Sequence, residues 1–274
     1  MTDPLIPAWL ERKGFRTLYR LTDLSYAVGL ATPKLTAAGT YWSYEPTNPH
    51  GDDPGLAALD ALAQDAVVVD AGAHVGEHAI PLVVGTDRRV LALEPNAESA
   101  DRLARNAARN GCSDQIDLRR AGVGDERTTL PFYRSTFSKC SAFDAERASR
   151  WGARIAHVET VPVYRIDDLV GPDATPGETE PAPPPDAIKI DVEGHELAVL
   201  RGAERTLREH RPLLVVEVHE QPSVIDGHGS SIETDTADGG VSIDREAHAS
   251  VLRSWLTKRG YATEERGDIW VCRG

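Results

Sequence analysis

Two short stretches gather the side chains best able to do chemistry. Lys189, Asp191, Glu193 and His195 stand within IKIDVEGHE at 188–196, and Glu217 and His219 within PLLVVEVHE at 212–220. Carboxylates and imidazoles can take the proton of a hydroxyl as it attacks an electrophile, and Asp191, Glu193, His195 and His219 are the candidates. Lys189 and Asp191 are two residues apart, as are Glu217 and His219, so in extended chain each pair shares a face. Charges in a buried sheet are costly unless paired, and four of them near adjoining strand ends point to a site opening into a cleft. Plainer alternatives stand beside this: a Lys189–Glu217 ion pair that only ties two strands, and a His195 that caps a helix or faces water. Asp191, Glu193, Glu217 and His219 are also hard ligands suited to magnesium, but their spacing matches no dedicated motif and no metal is assigned.

A second group lies upstream. VVVDAGAHVGEH at 67–78 delivers Asp70 at the end of a strand, then Gly72 and Gly76 in the turn into a helix, and Glu94 ends the following strand. Ligands of open α/β sheets bind at strand carboxyl ends, where a Gly-rich turn lets backbone approach a nucleoside and an acid accepts ribose hydroxyls. Position 74 is His, so the dinucleotide fingerprint GxGxxG is absent, as is the GxxxxGK[ST] of triphosphate sites. D-x-G-x-x-x-G suits instead the amino acid end of S-adenosylmethionine, where no pyrophosphate must be cradled. Taken singly, Asp70 and Glu94 are equally consistent with acids that end strands and cap helices.

These groups need a frame of strands and helices. Apolar runs at 66–69, 90–93, 116–121, 187–191 and 213–218 read as buried parallel strands. Between 97 and 110, Ala100, Leu103, Ala104, Ala107 and Ala108 form one helical stripe closed by Gly111. Leu197, Leu200, Ala203 and Leu207 mark another helix, and Val251, Leu252, Trp255 and Leu256 a last one. Pro81, about one turn into the helix after Gly76, should cost that helix a hydrogen bond and shorten or kink it. Segments 128–134 and 157–164 read as extra strands around a polar loop at 138–143. Residues 171–185 are Pro-rich and read as an exposed insertion, and 222–240 as a mobile polar stretch. A hairpin across Gly267-Asp268 pairs 261–265 with 269–272. The sum is an α/β fold, a doubly wound, mostly parallel seven-stranded sheet with a closing antiparallel hairpin. Residues 1–60 read as an amino-terminal cap and 61–274 as the main domain.

VVDAGAHVGEH, LALEPN at 91–96, IKIDVEGHE with LRGAERTL after it, and PLLVVEVHE together resemble the FkbM family of S-adenosylmethionine-dependent methyltransferases. The likeness covers roughly residues 66–220 and depends most on the IDVEGHE box. It implies a Rossmann-like class I methyltransferase and O-methylation, commonly of sugar or polyketide hydroxyls. The expected cofactor residues are Asp70, Gly72, Ala73, Gly76, Glu94, Pro95, Asn96 and Gly122, and the expected catalytic set is Lys189, Asp191, Glu193, His195, Glu217 and His219. Methyl esterification of a carboxylate such as a uronic acid, which needs no general base, is the nearest alternative. A nucleoside-binding module without catalysis and an oxidoreductase are more distant, since both motif groups are retained. No Asn/Asp-Pro-Pro-Tyr box follows the fourth strand, which argues against a nucleobase amino methyltransferase.

Composition bounds the partners. The 274 residues carry a formal charge of −13 with no basic stripe, which disfavours nucleic acid and leaves a small molecule or glycan as substrate. Arg outnumbers Lys 25 to 5, which with the acidic excess suggests a halophile, although a GC-rich genome would also favour Arg. Cys112, Cys140 and Cys272 lie far apart, encoding neither a disulfide framework nor a zinc site, and fit a reducing cytoplasm. The first residues, MTDPLIPAWLERKGF, lack an apolar run long enough for a signal peptide or membrane span. Oligomeric state is not legible.

Overall fold

The structure, a computed structural model, describes residues 8–172, 174, 180–219 and 245–274. The stretch 222–240 and part of 171–185 lie outside the described residues. In chain order the elements are α1 (Ala8–Val28), β1 (Thr32–Thr36), β2 (Gly39–Ser43), α2 (Pro54–Asp60), β3 (Val67–Ala71), α3 (Ala79–Val83), β4 (Arg89–Leu93), α4 (Ala97–Asn110), β5 (Ile116–Arg119) and β6 (Gly122–Val123). There follow β7 (Thr128–Ser135), α5 (Ala145–Ala148), β8 (Ile155–Tyr164), β9 (Ala187–Ile190), α6 (Glu196–Gly202), α7 (Glu204–His210), β10 (Leu213–Glu217), α8 (Arg245–Lys258), β11 (Ala262–Arg266) and β12 (Ile269–Arg273).

The apolar runs pair as expected into a seven-stranded sheet ordered β11-β12-β10-β9-β3-β4-β5. Strands β10, β9, β3, β4 and β5 are parallel, and the β11–β12 hairpin closes the β10 edge antiparallel. Alternate residues feed two cores: Val69, Leu91, Ile188 and Leu214 face one side, Val68, Val90, Ala187 and Val215 the other. Burial on both faces explains why these strands read as continuous apolar runs, each Val or Leu contributing about 1.5–3 kcal/mol. The chain winds from β3 to β4 and β5, then returns to β9 and β10 on the opposite side of β3. The β3/β9 boundary is therefore the topological switch point, where such sheets open a ligand crevice.

Several helices depart from their sequence reading. In α4, Asn96 caps the start by accepting the Glu98 N–H, and Gly111 ends it at φ 68°, as the spacing predicts. Ala104 and Ala108 are exposed, however, and Arg102 and Asn106 are buried in their place. The amino-terminal region covers that side: Asn106 Nδ2 donates to Tyr26 Oη at 2.9 Å, and Asn110 Nδ2 donates to the Trp42 carbonyl at 2.7 Å. Helix α3 is only five residues long, so Pro81 falls in its first turn, where a missing N–H costs no helical bond. The single helix expected through Leu207 is divided at Ala203 into α6 and α7.

The third parallel strand stops at Arg119 instead of Ala121, because Gly122 and Val123 leave the main sheet. They pair with β8 in a second sheet, ordered β6-β8-β7, whose β7 and β8 are the extra strands expected at 128–134 and 157–164. No helix among the described residues is long and apolar enough to cross a membrane.

Candidate active site

Strand β3 ends against β4 and β9, and its exit turn is fitted to both. The Gly72 and Ala73 N–H groups donate to the Leu93 carbonyl at 2.9 and 3.1 Å, and Gly72 adopts φ 83°. A Cβ on Gly72 would lie 1.8 Å from the Asp191 carbonyl oxygen, so only glycine lets the two strand exits meet. Glu94, buried at the end of β4, accepts the His74 N–H at 2.8 Å and the Asn96 N–H at 2.7 Å. Two backbone donors thus fix the carboxylate while lone pairs remain for other donors. Burial holds the Glu94 carboxyl above its ordinary range.

A cleft of about 380 Å³ opens at these strand ends, a size suited to a small cofactor and its partner. Of the expected cofactor residues, Gly72, Ala73, Glu94, Pro95 and Gly122 line it. Asp70, Gly76 and Asn96 lie behind its wall: Asp70 is 1% exposed, Gly76 packs on Ile80, and Asn96 caps α4. Lys189, Asp191, Glu193, Glu217 and His219 of the expected catalytic set also line the cleft. His195 does not; it sits beside the Phe143 ring, and burial lowers its pKa.

The charges on the acceptor side are arranged differently from the sequence reading. Register places Lys189 beside Asp70 on one side and Val215 on the other, so Glu217 lies two residues beyond its reach. The Lys189 ammonium therefore pairs with Asp70 at 3.2 Å and Asp191 at 3.3 Å, and not with Glu217. Burial alone would lower the Lys189 pKa, but these carboxylates outweigh it and raise it. The ammonium in turn holds Asp191 low against its own burial, while burial and the Asp191 charge push Glu217 up.

His219 stands where these groups converge. Its Nδ1 is 2.9 Å from Glu196 Oε1, and its Nε2 lies 3.7 Å from Asp191, 3.7 Å from Glu217 and 3.9 Å from Glu193. Burial would depress the imidazole, but the Glu196 hydrogen bond and the nearby Asp191 charge raise it to about 9. Glu196 is wholly buried, meets His248 Nε2 at 2.9 Å and accepts from the Gly194 N–H at 2.8 Å; the His219 hydrogen bond first, then these contacts, outweigh burial and hold it at about 2.

The opposite wall comes from the segment between β7 and β8. It contributes Ser138, Lys139, Phe143, Arg150 and Trp151, none of which the sequence motifs marked. Lys139 reaches Glu77 at 2.8 Å, and Arg150 reaches Glu193 at 2.5 Å. His74, Trp151 and Glu193 hold positive φ of 47°, 55° and 53°, and all three line the cleft. Non-glycine residues adopt this conformation at a cost of order 1 kcal/mol, and its concentration here marks a place where geometry outranks local comfort.

Residues 70–262 match the Methyltransferase FkbM domain. The chain belongs to the FkbM methyltransferase family. The family resemblance read from the motifs is therefore borne out. Over 161 residues it is 30% identical to the hexuronic acid methyltransferase AglP of Haloferax volcanii, a match covering 59% of each chain. It is also similar in structure to an FkbM methyltransferase from Methylobacillus flagellatus (TM-score 0.47, 19% identity, covering 78% of this chain and 45% of that one). An O-methyltransferase from Bacillus cereus in complex with SAH has the same TM-score of 0.47 at 14% identity, covering 94% and 91% of the two chains.

Proposed function

We propose that the protein moves the methyl group of S-adenosylmethionine to a hydroxyl of an acidic sugar. The observation that carries this reading is one cleft lined by Glu94 and the Gly72 turn together with Asp191, Glu217 and His219. The bound cofactor supplies an electrophilic methyl on a sulfonium. In this reading Glu94 accepts the ribose hydroxyls, and the Gly72–Ala73 backbone lies along the methionine end. Asp191, Glu217 and His219 surround the acceptor hydroxyl and orient it as it loses its proton. The hexuronic acid methyltransferase similar to this chain supports a sugar acid as substrate.

Esterification of the sugar's carboxylate is the second reading, favoured by the cationic Lys139 and Arg150 in the same cleft. Against it, Asp191 and Glu217 would repel a carboxylate brought to the methyl. The two separate on the product: incubation with a hexuronate glycoside should yield a species one methyl heavier that survives mild alkali, as an ether does. Loss of that methyl in alkali would establish the ester and overturn the hydroxyl reading.

The buried free cysteines Cys112, Cys140 and Cys272 support a reducing, cytoplasmic setting. The acidic excess and the haloarchaeal relative support a salt-rich one, in which stability should rise with molar potassium chloride.

A further inference from the structure

Asp191 Oδ1 and Glu217 Oε1 each lie 3.7 Å from His219 Nε2, and the ligand atoms of these three residues all fall within 4.8 Å of one another. Such separations are too long for hydrogen bonds. They match ligands held about 2.1 Å from one shared ion across a wide angle. His219 is already turned for that role. Glu196 accepts from Nδ1, leaving Nε2 directed between the two carboxylates, and a carboxylate behind the ring is how metal-ligating imidazoles are commonly oriented.

Charge argues the same way. Asp70 and Asp191 share the Lys189 ammonium, and Glu217 stands beside them without an ion pair to a lysine or arginine among the described residues. Glu193 is engaged separately by Arg150 at 2.5 Å. Carboxylates crowded in this excess, three-quarters withdrawn from water at Asp191, gain from a multivalent counter-charge.

We propose that Asp191, Glu217 and His219 bind one divalent cation, with Mn²⁺ the ion tested because carboxylate oxygens supply two of the three ligands. The inference rests on the hydroxyl reading above and names how the acceptor is held: the ion takes two neighbouring oxygens of the sugar acid, one of them the acceptor hydroxyl. As a Lewis acid it eases loss of the hydroxyl proton to solvent water, while the oxygen–methyl bond forms and the sulfur–methyl bond breaks. His219 is then a ligand and not the proton acceptor.

A second group, His50, Asp53 and His78, also brings metal-ligating atoms together. There both imidazoles lie 3.0 Å from the same Asp53 oxygen, hydrogen-bond length, and the other oxygen caps α2, so the group is satisfied as it stands.

Mn²⁺ titration of the full chain, followed by the electron paramagnetic resonance signal of the free ion, tests the proposal without reference to activity. One ion should bind per chain. Glu217→Gln and His219→Gln, with native circular dichroism, should each weaken binding by about tenfold or more, and Glu196→Gln by ~10–100-fold through its hold on the ring. His50→Gln should bind as the native protein does. Failure of the native chain to bind Mn²⁺, undiminished binding in both Glu217→Gln and His219→Gln, or loss of binding in His50→Gln would each overturn the assignment. Alkali-stable methylation that continues unchanged in chelator overturns the cation while leaving the hydroxyl reading intact. Bound Mn²⁺ with only an alkali-labile product does the reverse.

Discussion

Arg88 and Lys189 are both buried cations, 0% and 4% exposed, with different surroundings. Arg88 reaches the carbonyls of Asp60, Leu62, Ala63 and Leu82 and the Asp60 carboxylate at 2.7–3.2 Å, so each of its nitrogens has a partner. Lys189 faces carboxylates at 3.2 and 3.3 Å and donates to the single carbonyl of Gly72 at 3.2 Å, and neither oxygen of Asp70 has a well-formed hydrogen bond. The first arrangement is complete and locks the loop between α2 and β3 beneath the sheet. The second leaves polar atoms short of partners beside a cleft, a condition native structures tolerate where a ligand or reaction uses it.

That contrast makes its sharpest prediction for stability. Arg88→Ala should cost about 3–5 kcal/mol in urea unfolding, because it strands several buried carbonyls at once. Glu217→Gln, of equal size and with no ion pair to a lysine or arginine to lose among the described residues, should stay within ~1 kcal/mol of the native protein while methyl transfer falls. Equal losses in the two variants would break the comparison.

The His50–Asp53–His78 group should behave as structure too, through pH. Burial would lower His50, but hydrogen bonds to Asp53 and Glu77 outweigh it and hold the imidazole at about 9, above the ~6.5 of an unfolded chain. A raised folded pKa contributes stability that is fully present below about 6.5 and is lost as pH climbs through about 9. Unfolding midpoints across that window should fall with rising pH, and His50→Gln should flatten the slope.

On the ligand side, Glu94→Ala should weaken binding of S-adenosylhomocysteine by about 1–3 kcal/mol in calorimetry, with no NAD binding in either protein. The smallest effect belongs to a residue behind the wall: Asn96→Ala should cost ~1 kcal/mol of stability as a lost helix cap.

The parallel strands and the two motif boxes were legible because apolar runs, a Gly-rich turn and strand-end acids are local signals. Register is not local. The sequence places Lys189 and Glu217 on neighbouring strands, but only the pairing of Asp70 with Lys189 reveals the ammonium's true partner. Glu196 reads as an ordinary acid in a first helical turn, and its burial against His219 and His248 depends on α8, which follows about fifty residues later. Lys139, Arg150 and Trp151 sit in a segment without periodicity, so nothing in their spacing pointed to the cleft. The stripe of α4 is narrower than its alanines suggest, because alanine fits inside or outside, and contacts from the amino-terminal region help to bury Arg102 and Asn106.

The cleft has two walls of different descent in the chain. One is the main sheet's own edge, where Gly72 and Asp191 touch and leave no room for change. The other hangs from the β6-β8-β7 sheet, an excursion between β5 and β9 that the central strands do not need for their pairing. Among the described residues the two walls meet through side chains, Lys139 with Glu77 and Arg150 with Glu193, and not through strand pairing. Substitutions between residues 128 and 164 can recast what the cleft admits while the Gly72 turn and the strand ends around it are passed on intact.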